Sequence, residues 1–448
     1  MPVPSHSLSP RDGANEIPAV RLAAQRALAA RLRLVEEYPQ WEIWRQQART
    51  IKSEVISHLD EYLDRLRSQV EAWGGRVLRA ADGPAACALI MDLVRRHRVR
   101  RLVKAKSMTS EEVGINAALT AAGCQVTETD LGEFIVQLAG HPPAHLTAPA
   151  MHLNREDIAD LFVRHLHLPR QSDPAALSRQ GAEHLRPRFW EAQMGLTGVN
   201  FAAAASGHLV MLENEGNLRL TATAPPVHVA LMGMEKIIPA LTDLEVFLRL
   251  LPASATGQRL TAYVNFIHGL KWHPQGQQAF YLIVLDNGRS RLAADPFFRE
   301  ALYCLRCGAC LNICPIFQLG GGHLYGRVYT GPIGILLGEY LGERADLTDL
   351  CTQCGACSQI CPAGIDLTEK INLLRSRSRS HPGLRAAVRG GSLLLQHPRL
   401  YRCLIPLGRL LGRSLPRRIT ARWWGGHQSP PQPTRRSFFE SRPPGPRI

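Results

Sequence analysis

Ile56, Leu59, Leu63, Leu66 and Val70 step along the chain by three and four, which lays one apolar stripe on one helix face. The helical pattern runs from Ala19 to about Trp73, is interrupted at Pro39 and is closed by Gly74-Gly75. From Arg76 the period changes. Short apolar runs predict strands over residues 76–78, 101–105 and 124–129, with helices over 84–97 and 110–122 between them. Strands that alternate with helices imply parallel pairing and an α/β sheet. Residues 208–212 and 218–223 read as a hairpin around the loop Glu213-Asn214-Glu215-Gly216-Asn217. Residues 227–232, 262–266 and 280–285 are further strands, the last closed by the turn Asp286-Asn287-Gly288.

The pattern then gives way to cysteine. Cys304, Cys307, Cys310 and Cys314 are followed by Pro315; Cys351, Cys354, Cys357 and Cys361 are followed by Pro362. Each run reads C-x2-C-x2-C-x3-C-P, the ligand spacing of a two-cluster ferredoxin module. Cubane iron takes soft thiolates, and two-residue spacing lets one short loop reach three irons. The fourth cysteine of a run passes on to the other cluster. Cys304, Cys307, Cys310 and Cys361 are therefore expected to hold one [4Fe–4S] cluster, and Cys351, Cys354, Cys357 and Cys314 the other. Gly308 and Gly355 fall between the second and third cysteines, where a side chain is expected to crowd the cluster or the bending backbone. Zinc sites favour two C-x2-C pairs with a longer gap, and fit these runs poorly. Between the runs, Gly334, Gly338 and Gly342 recur every four residues and predict a smooth helix face. A helix from Leu367 to Arg375 is expected to seal the clusters.

Composition adds limits. At 448 residues the chain has room for two or three domains, and its 45% hydrophobic content marks a globular protein. The chain has no apolar run long enough for a transmembrane helix, and its polar start lacks a signal-peptide core. With no sign of secretion, the thiols are expected in a reducing, cytoplasmic compartment, and Cys87 and Cys124 as small buried hydrophobes. The net charge of +15 resides after residue 370, where sixteen arginines face one acid, Glu440. The rest is balanced, which disfavours nucleic acid as the main partner. The basic end instead suits an acidic partner or peripheral contact with the inner face of a membrane.

Within the α/β region the chemistry is faint. Lys104 and Lys106 end a predicted strand beside a helix that Thr109 and Glu112 are expected to open as a capping box. That is where open α/β sheets bind anions, although two exposed lysines beside an ordinary cap explain it as well. Glu213 and Glu215 form a candidate carboxylate pair, or solvated loop residues. His141, His145 and His152 match no zinc spacing and read as loop histidines.

Several stretches together resemble the lactate utilisation protein B family: Lys106-Ser107-Met108, Ser110-Glu111-Glu112, Asn214-Glu215-Gly216-Asn217, Met232-Gly233-Met234-Glu235-Lys236, Leu285 to Arg291, and Arg306-Cys307-Gly308-Ala309-Cys310-Leu311-Asn312. The likeness runs from about Arg45 to about Leu411. It implies an α/β LUD domain, similar to the sugar-phosphate isomerase and CoA-transferase group, followed by an α-helical two-[4Fe–4S] ferredoxin-like module. The expected layout is a disordered start (1–18), a helical region (19–75), the LUD domain (76–291), the two-cluster module (292–376), a basic helical region (377–424) and a disordered Arg/Pro-rich tail (425–448). The implied function is electron transfer within a complex that oxidises L-lactate to pyruvate. The implied partners are a cysteine-rich iron–sulfur protein and a smaller LUD-domain protein. The rival reading makes the LUD domain itself a catalytic or anion-binding unit, with Lys104, Lys106 and Glu215 at its site.

Overall fold

The computed structural model describes residues 13–274, 276–342 and 347–377, with isolated positions between 386 and 404. Expectations for the first twelve residues, and most of those beyond Arg377, lie outside the described residues. The described residues up to Arg375 form one compact unit.

Three helices lead: α1 (Gly13–Glu36), α2 (Trp41–Ser57) and α3 (Leu59–Ala72). Helix α1 already begins at Gly13, so residues 13–18, expected to be disordered, are helical. The long second pattern is broken at His58, whose ψ of 37° leaves the helical region while its N–H still reaches Glu54 and Val55. The stripe survives the break: Val55, Ile56, Leu59, Leu63, Leu66 and Val70 are all buried.

The α/β region follows as β1 (Arg76–Ala80), α4 (Gly83–Arg96), β2 (Arg101–Lys104), α5 (Met108–Glu112), α6 (Ile115–Ala121), β3 (Gln125–Glu128), α7 (Leu131–Ala139), α8 (Arg155–Leu166), α9 (Pro174–Glu191), β4 (Met194–Thr197), β5 (Phe201–Ala203), β6 (Leu209–Glu213), α10 (Asn217–Thr223), β7 (Val227–Gly233), β8 (Ile237–Ile238), α11 (Leu244–Thr256), β9 (Tyr263–Ile267), β10 (Trp272–His273), β11 (Gly276–Gln277), β12 (Ala279–Leu285) and α12 (Arg289–Ala294). Six strands make one sheet in the order β1-β12-β7-β4-β2-β3, and every neighbour in it is parallel. All their carboxyl ends therefore open on one edge. A four-stranded sheet, β8-β5-β6-β9, stands beside it with mixed pairing.

Two sequence expectations fail here. Residues 218–223 form helix α10, not a strand. Threonine favours strands, but Thr221 and Thr223 bond the carbonyls of Asn217 and Arg219 four residues back, and Leu218, Thr221 and Ala222 bury one face. The carboxylate of Glu213 caps that helix by accepting from the N–H groups of Leu218 (2.6 Å) and Arg219 (3.0 Å). The second failure is the capping box. Ser107 caps α5 by accepting from the Ser110 N–H, Thr109 lies inside the helix, and Glu112 turns inward to other partners.

The cysteine region adds α13 (Ala309–Asn312), α14 (Pro315–Gly320), α15 (Gly331–Tyr340), α16 (Ala356–Ile360) and α17 (Leu367–Arg377). Helix α15 carries Gly334 and Gly338 but ends before Gly342. A Cβ on Gly334 would stand 1.9 Å from the Tyr329 carbonyl, which is why the face there must be bare. One hydrophobic core runs without a break from α1–α3 through the smaller sheet and the sheet face into these helices. Two further cores lie beneath α4 and α6, and among α7, α8 and α9. No helix among the described residues is long and apolar enough to cross a membrane.

Gly195 in β4 lies against α10, and a Cβ there would sit 1.8 Å from the Thr221 carbonyl oxygen. Gly123 has a φ of +79° but open space around it. Gly195→Ala is expected to cost about 3 kcal/mol or more through overpacking, and Gly123→Ala only about 1 kcal/mol of backbone strain. Urea titrations of the two variants check this; equal losses would mean that the β4–α10 approach is looser than described.

Candidate iron–sulfur and anion site

The two cysteine runs fold into copies of one loop. Arg306 and Gln353 occupy matching places before the second cysteine and both take positive φ, 62° and 58°. That turn brings the Arg306 N–H to the Cys304 sulfur and the Gln353 N–H to the Cys351 sulfur, each at 3.4 Å. Gly308 and Gly355 both have a φ of +79°. The left-handed backbone selects glycine at both places, and at Gly308 a Cβ would also strike the His145 ring at 2.7 Å.

The eight thiols surround two hollows. One is lined by Cys304, Cys307, Cys310 and Cys361, the other by Cys314, Cys351, Cys354 and Cys357. The fourth cysteine of each run has thus crossed to the other run's hollow. Apolar side chains complete the walls: Leu146, Leu305, Ile333 and Ile365 at the first, Pro332, Ile335, Leu350 and Ile371 at the second. Among the described residues no group of three or more His, Cys, Asp or Glu converges on a single ion. Eight soft donors in two sets of four, each beside apolar side chains, suit a pair of four-iron clusters.

Burial raises five of these thiols, and neighbouring cysteines add to it: Cys307 is pushed up to about 12 and Cys361 to about 11, with Cys310, Cys314 and Cys357 also raised. Metal ligation therefore has to displace protons held at neutral pH. Donors wait around the sulfurs. Cys314 faces the N–H groups of Phe317 and Ile316 and the Tyr325 hydroxyl, and Cys361 faces the N–H groups of Ile365 and Ala363. The leading helices hold the second loop from outside. Arg31 donates to the Ile360 carbonyl (2.8 Å), Arg45 to the Cys361 carbonyl (2.9 Å), and Arg49 to the Gly364 carbonyl.

A chain of buried charges joins the first loop to the parallel sheet. Arg289, just past β12, forms two bonds to Glu112 (2.7 and 2.8 Å) and one to Glu235 (2.6 Å). Glu235 in turn accepts from Arg306 at 3.1 Å. Tyr329 and Asn287 each donate to Glu112 at 2.7 Å, and Arg306 lies over the Tyr329 ring at 4.8 Å. Burial alone would raise the Glu235 and Glu112 carboxyls. The guanidiniums of Arg289 and, for Glu235, Arg306 outweigh it and hold both below the usual carboxylate range.

Lys104 and Lys106 take different roles. Lys104 is wholly buried and paired with Glu111 and Glu128, both at 2.8 Å. Burial works against its charge, and those two carboxylates more than compensate. It is a structural cation, unavailable to a ligand. Lys106 lines a cavity of about 300 Å³ at the carboxyl edge of the sheet, and its Nζ is buried with no hydrogen-bond partner on the protein. Glu213 and Glu215 also line that cavity. Glu213 is no solvated loop residue: it is buried, caps α10 and accepts from Asn265 at 2.7 Å. Glu215 accepts from the Leu131 N–H at 3.3 Å. The three histidines lie in the loop between α7 and α8, as expected, with His145 and His152 buried there. His141 and His152 approach to 3.1 Å with His323 edge-on to His152, while His145 packs edge-on to Phe317.

The charge chain was not foreseen. Its visible signals were Glu235 and Lys236 between apolar residues, and Arg289 just after a buried strand.

The chain matches the family model described as "LUD domain" over residues 63–284, and that described as "4Fe-4S dicluster domain" over residues 300–365. Relatives named "Lactate utilization protein B" are similar. That of Bacillus velezensis is 42% identical over 72% of this chain and 68% of its own. That of Bacillus subtilis is 41% identical and that of Geobacillus kaustophilus 40%, each over 74% of this chain and 70% of its own.

Removing Arg289 takes the guanidinium from Glu112 and leaves Glu235 paired with Arg306 only through the 3.1 Å contact. Arg289→Met is expected to cost about 3–5 kcal/mol near neutral pH. Both carboxyls sit below their unfolded value, so the native network contributes stability above that value and loses it as pH falls. In the variant the freed carboxyls can protonate more easily, so its deficit against the parent protein should shrink from pH 7.5 to pH 5. Thermal melts across that range check the sign; a deficit that grows on acidification contradicts the assignment.

Proposed function

This chain belongs to the lactate utilization protein B family, and on that premise we propose that it is the electron-transfer subunit of a complex oxidising L-lactate to pyruvate. Membership and the dicluster domain give it an iron–sulfur role in lactate utilisation. The finer reading rests on one observation above others: the crosswise sorting of eight cysteines into two sets of four.

Cys304, Cys307, Cys310 and Cys361 would hold one [4Fe–4S] cluster; Cys351, Cys354, Cys357 and Cys314 would hold the second. Bound there, the clusters supply two neighbouring one-electron carriers, matching the two electrons that leave when lactate becomes pyruvate. The protein does the rest. Its apolar walls shield the first hollow more fully than the second, and N–H and hydroxyl donors to the sulfurs favour the reduced state. The two sites differ in surroundings. The first hollow shares Leu146 with the cavity at the sheet edge, and lies under the charge chain. At the second, Cys354 is exposed. Electrons would thus enter on the side of the α/β domain and leave near Cys354, where an acceptor protein can approach. A cysteine-rich iron–sulfur protein and a smaller LUD-domain protein are the partners in this reading, with an acceptor such as a quinone pool or a further protein beyond them.

Crosswise ligation makes a specific prediction. Cys361→Ala, although in the second run, should abolish the signal of the cluster held by the first. Cys314→Ala should abolish that of the second. Each variant should fall from about eight irons to about four, and the spin–spin coupling in the EPR of the reduced protein should vanish. A Cys361→Ala protein that keeps both clusters, or binds zinc in their place, contradicts the arrangement.

A further inference from the structure

The cavity of about 300 Å³ at the sheet edge has walls from two sources. Lys106, Asn200 and Lys236 come from the carboxyl ends of the parallel strands and the loops after them. Arg306 and Tyr329 come from the cysteine region. The volume is at the low end of pockets that take small molecules, roughly 300–1,000 Å³.

Two buried cationic nitrogens on these walls have no acceptor on the protein: Lys106 Nζ and Arg306 Nη1. Arg306 is 8% exposed, and its other terminal nitrogen is already bonded to Glu235. Leaving a buried charged donor unmatched costs free energy that a built protein avoids unless something else supplies the acceptor. Lys236 adds a third cation. The acids on the walls are not equivalent to these. Glu213 is occupied by three donors, Glu215 accepts from Leu131, and Asp130 caps α7. Lys104, which the sequence offered as a partner for Lys106, is consumed by Glu111 and Glu128.

We propose that this cavity binds a small carboxylate anion of the 2-hydroxy or 2-oxo acid class, held between Lys106 of the α/β domain and Arg306 of the first cysteine loop. The choice of acid rests on the lactate reading above; the anion site rests on the two unmatched cations. A carboxylate with a neighbouring oxygen presents acceptors to both walls at once. It would lie across Leu146 and Leu305 from the first cysteine set, since both leucines line the cavity and the hollow alike. Added negative charge there should lower the potential of that cluster and leave the second less affected.

The test uses the full, cluster-loaded chain under anaerobic conditions. Calorimetric titration with pyruvate and L-lactate reads binding. Redox titration followed by EPR reads the potential of each cluster with and without saturating pyruvate. Binding is expected, with a downward shift confined mainly to the cluster of Cys304, Cys307, Cys310 and Cys361. Lys106→Met should weaken binding by about tenfold or more, as expected for loss of a charge-assisted bond, with iron content unchanged; Lys106→Arg should retain most of it. Lys236→Met is a second, independent probe of the same cavity. No heat and no shift with either acid overturns the proposal. So does binding that both methionine variants leave intact, or an equal response to acetate and inorganic phosphate. Calorimetry reads the cavity whatever the iron content, so a shortage of iron would count against the relay and not against this site.

Discussion

Four buried charges in alternating order, Glu112, Arg289, Glu235 and Arg306, bind the carboxyl edge of the parallel sheet to the first cysteine loop. Each costs several kcal/mol to take out of water on its own, so none is tolerable without its neighbours. The geometry follows from that constraint. Arg306 is the residue that must adopt positive φ for its loop to turn around the first hollow, and its guanidinium is also the last link of the chain. The turn of the cysteine loop and the end of the sheet are therefore fixed by one set of contacts. This explains why the described residues up to Arg375 are one compact unit, although their sequence patterns change abruptly at Arg76 and again at Cys304.

Much of the fold was legible in the sequence. The leading stripe, the strand–helix alternation and the turn at Asn287-Gly288 are local signals, and they produce α2–α3, the parallel sheet and the start of α12. The cysteine spacing foretold how the thiols sort into hollows, because two-residue steps leave a loop few ways to turn. The errors share a cause. Residues 218–223 looked like a strand because threonine usually favours one, yet a carboxylate five residues upstream capped a helix there. Glu112 looked like a cap residue, but its partner Arg289 lies 177 positions away. Lys104 and Lys106 looked equivalent, and only the neighbours Glu111 and Glu128 separate them. Each error concerns a side chain whose partner lies off the period of its own element, from five residues away at Glu213 to 177 at Glu112, which no periodicity can reveal.

The site has a direction built into it. The cavity with its unmatched cations lies at the sheet edge, the first set of four cysteines lies against it, and the second set reaches the surface at Cys354. In the proposed relay, lactate chemistry takes the cavity end of this order and an electron acceptor the Cys354 end. The leading helices contribute by clasping the backbone at Ile360, Cys361 and Gly364, so that the fourth ligand of the first set is held from outside the module.

The central claim is that electrons from lactate pass through this chain. Its most direct test is freeze-quench EPR of the reconstituted complex, with this chain carrying both clusters, after mixing with L-lactate in the absence of an acceptor. The account predicts reduction of the four-iron centres of this chain within the time of turnover, with the interacting-pair signal that dithionite produces. Centres that stay oxidised while pyruvate accumulates would contradict it.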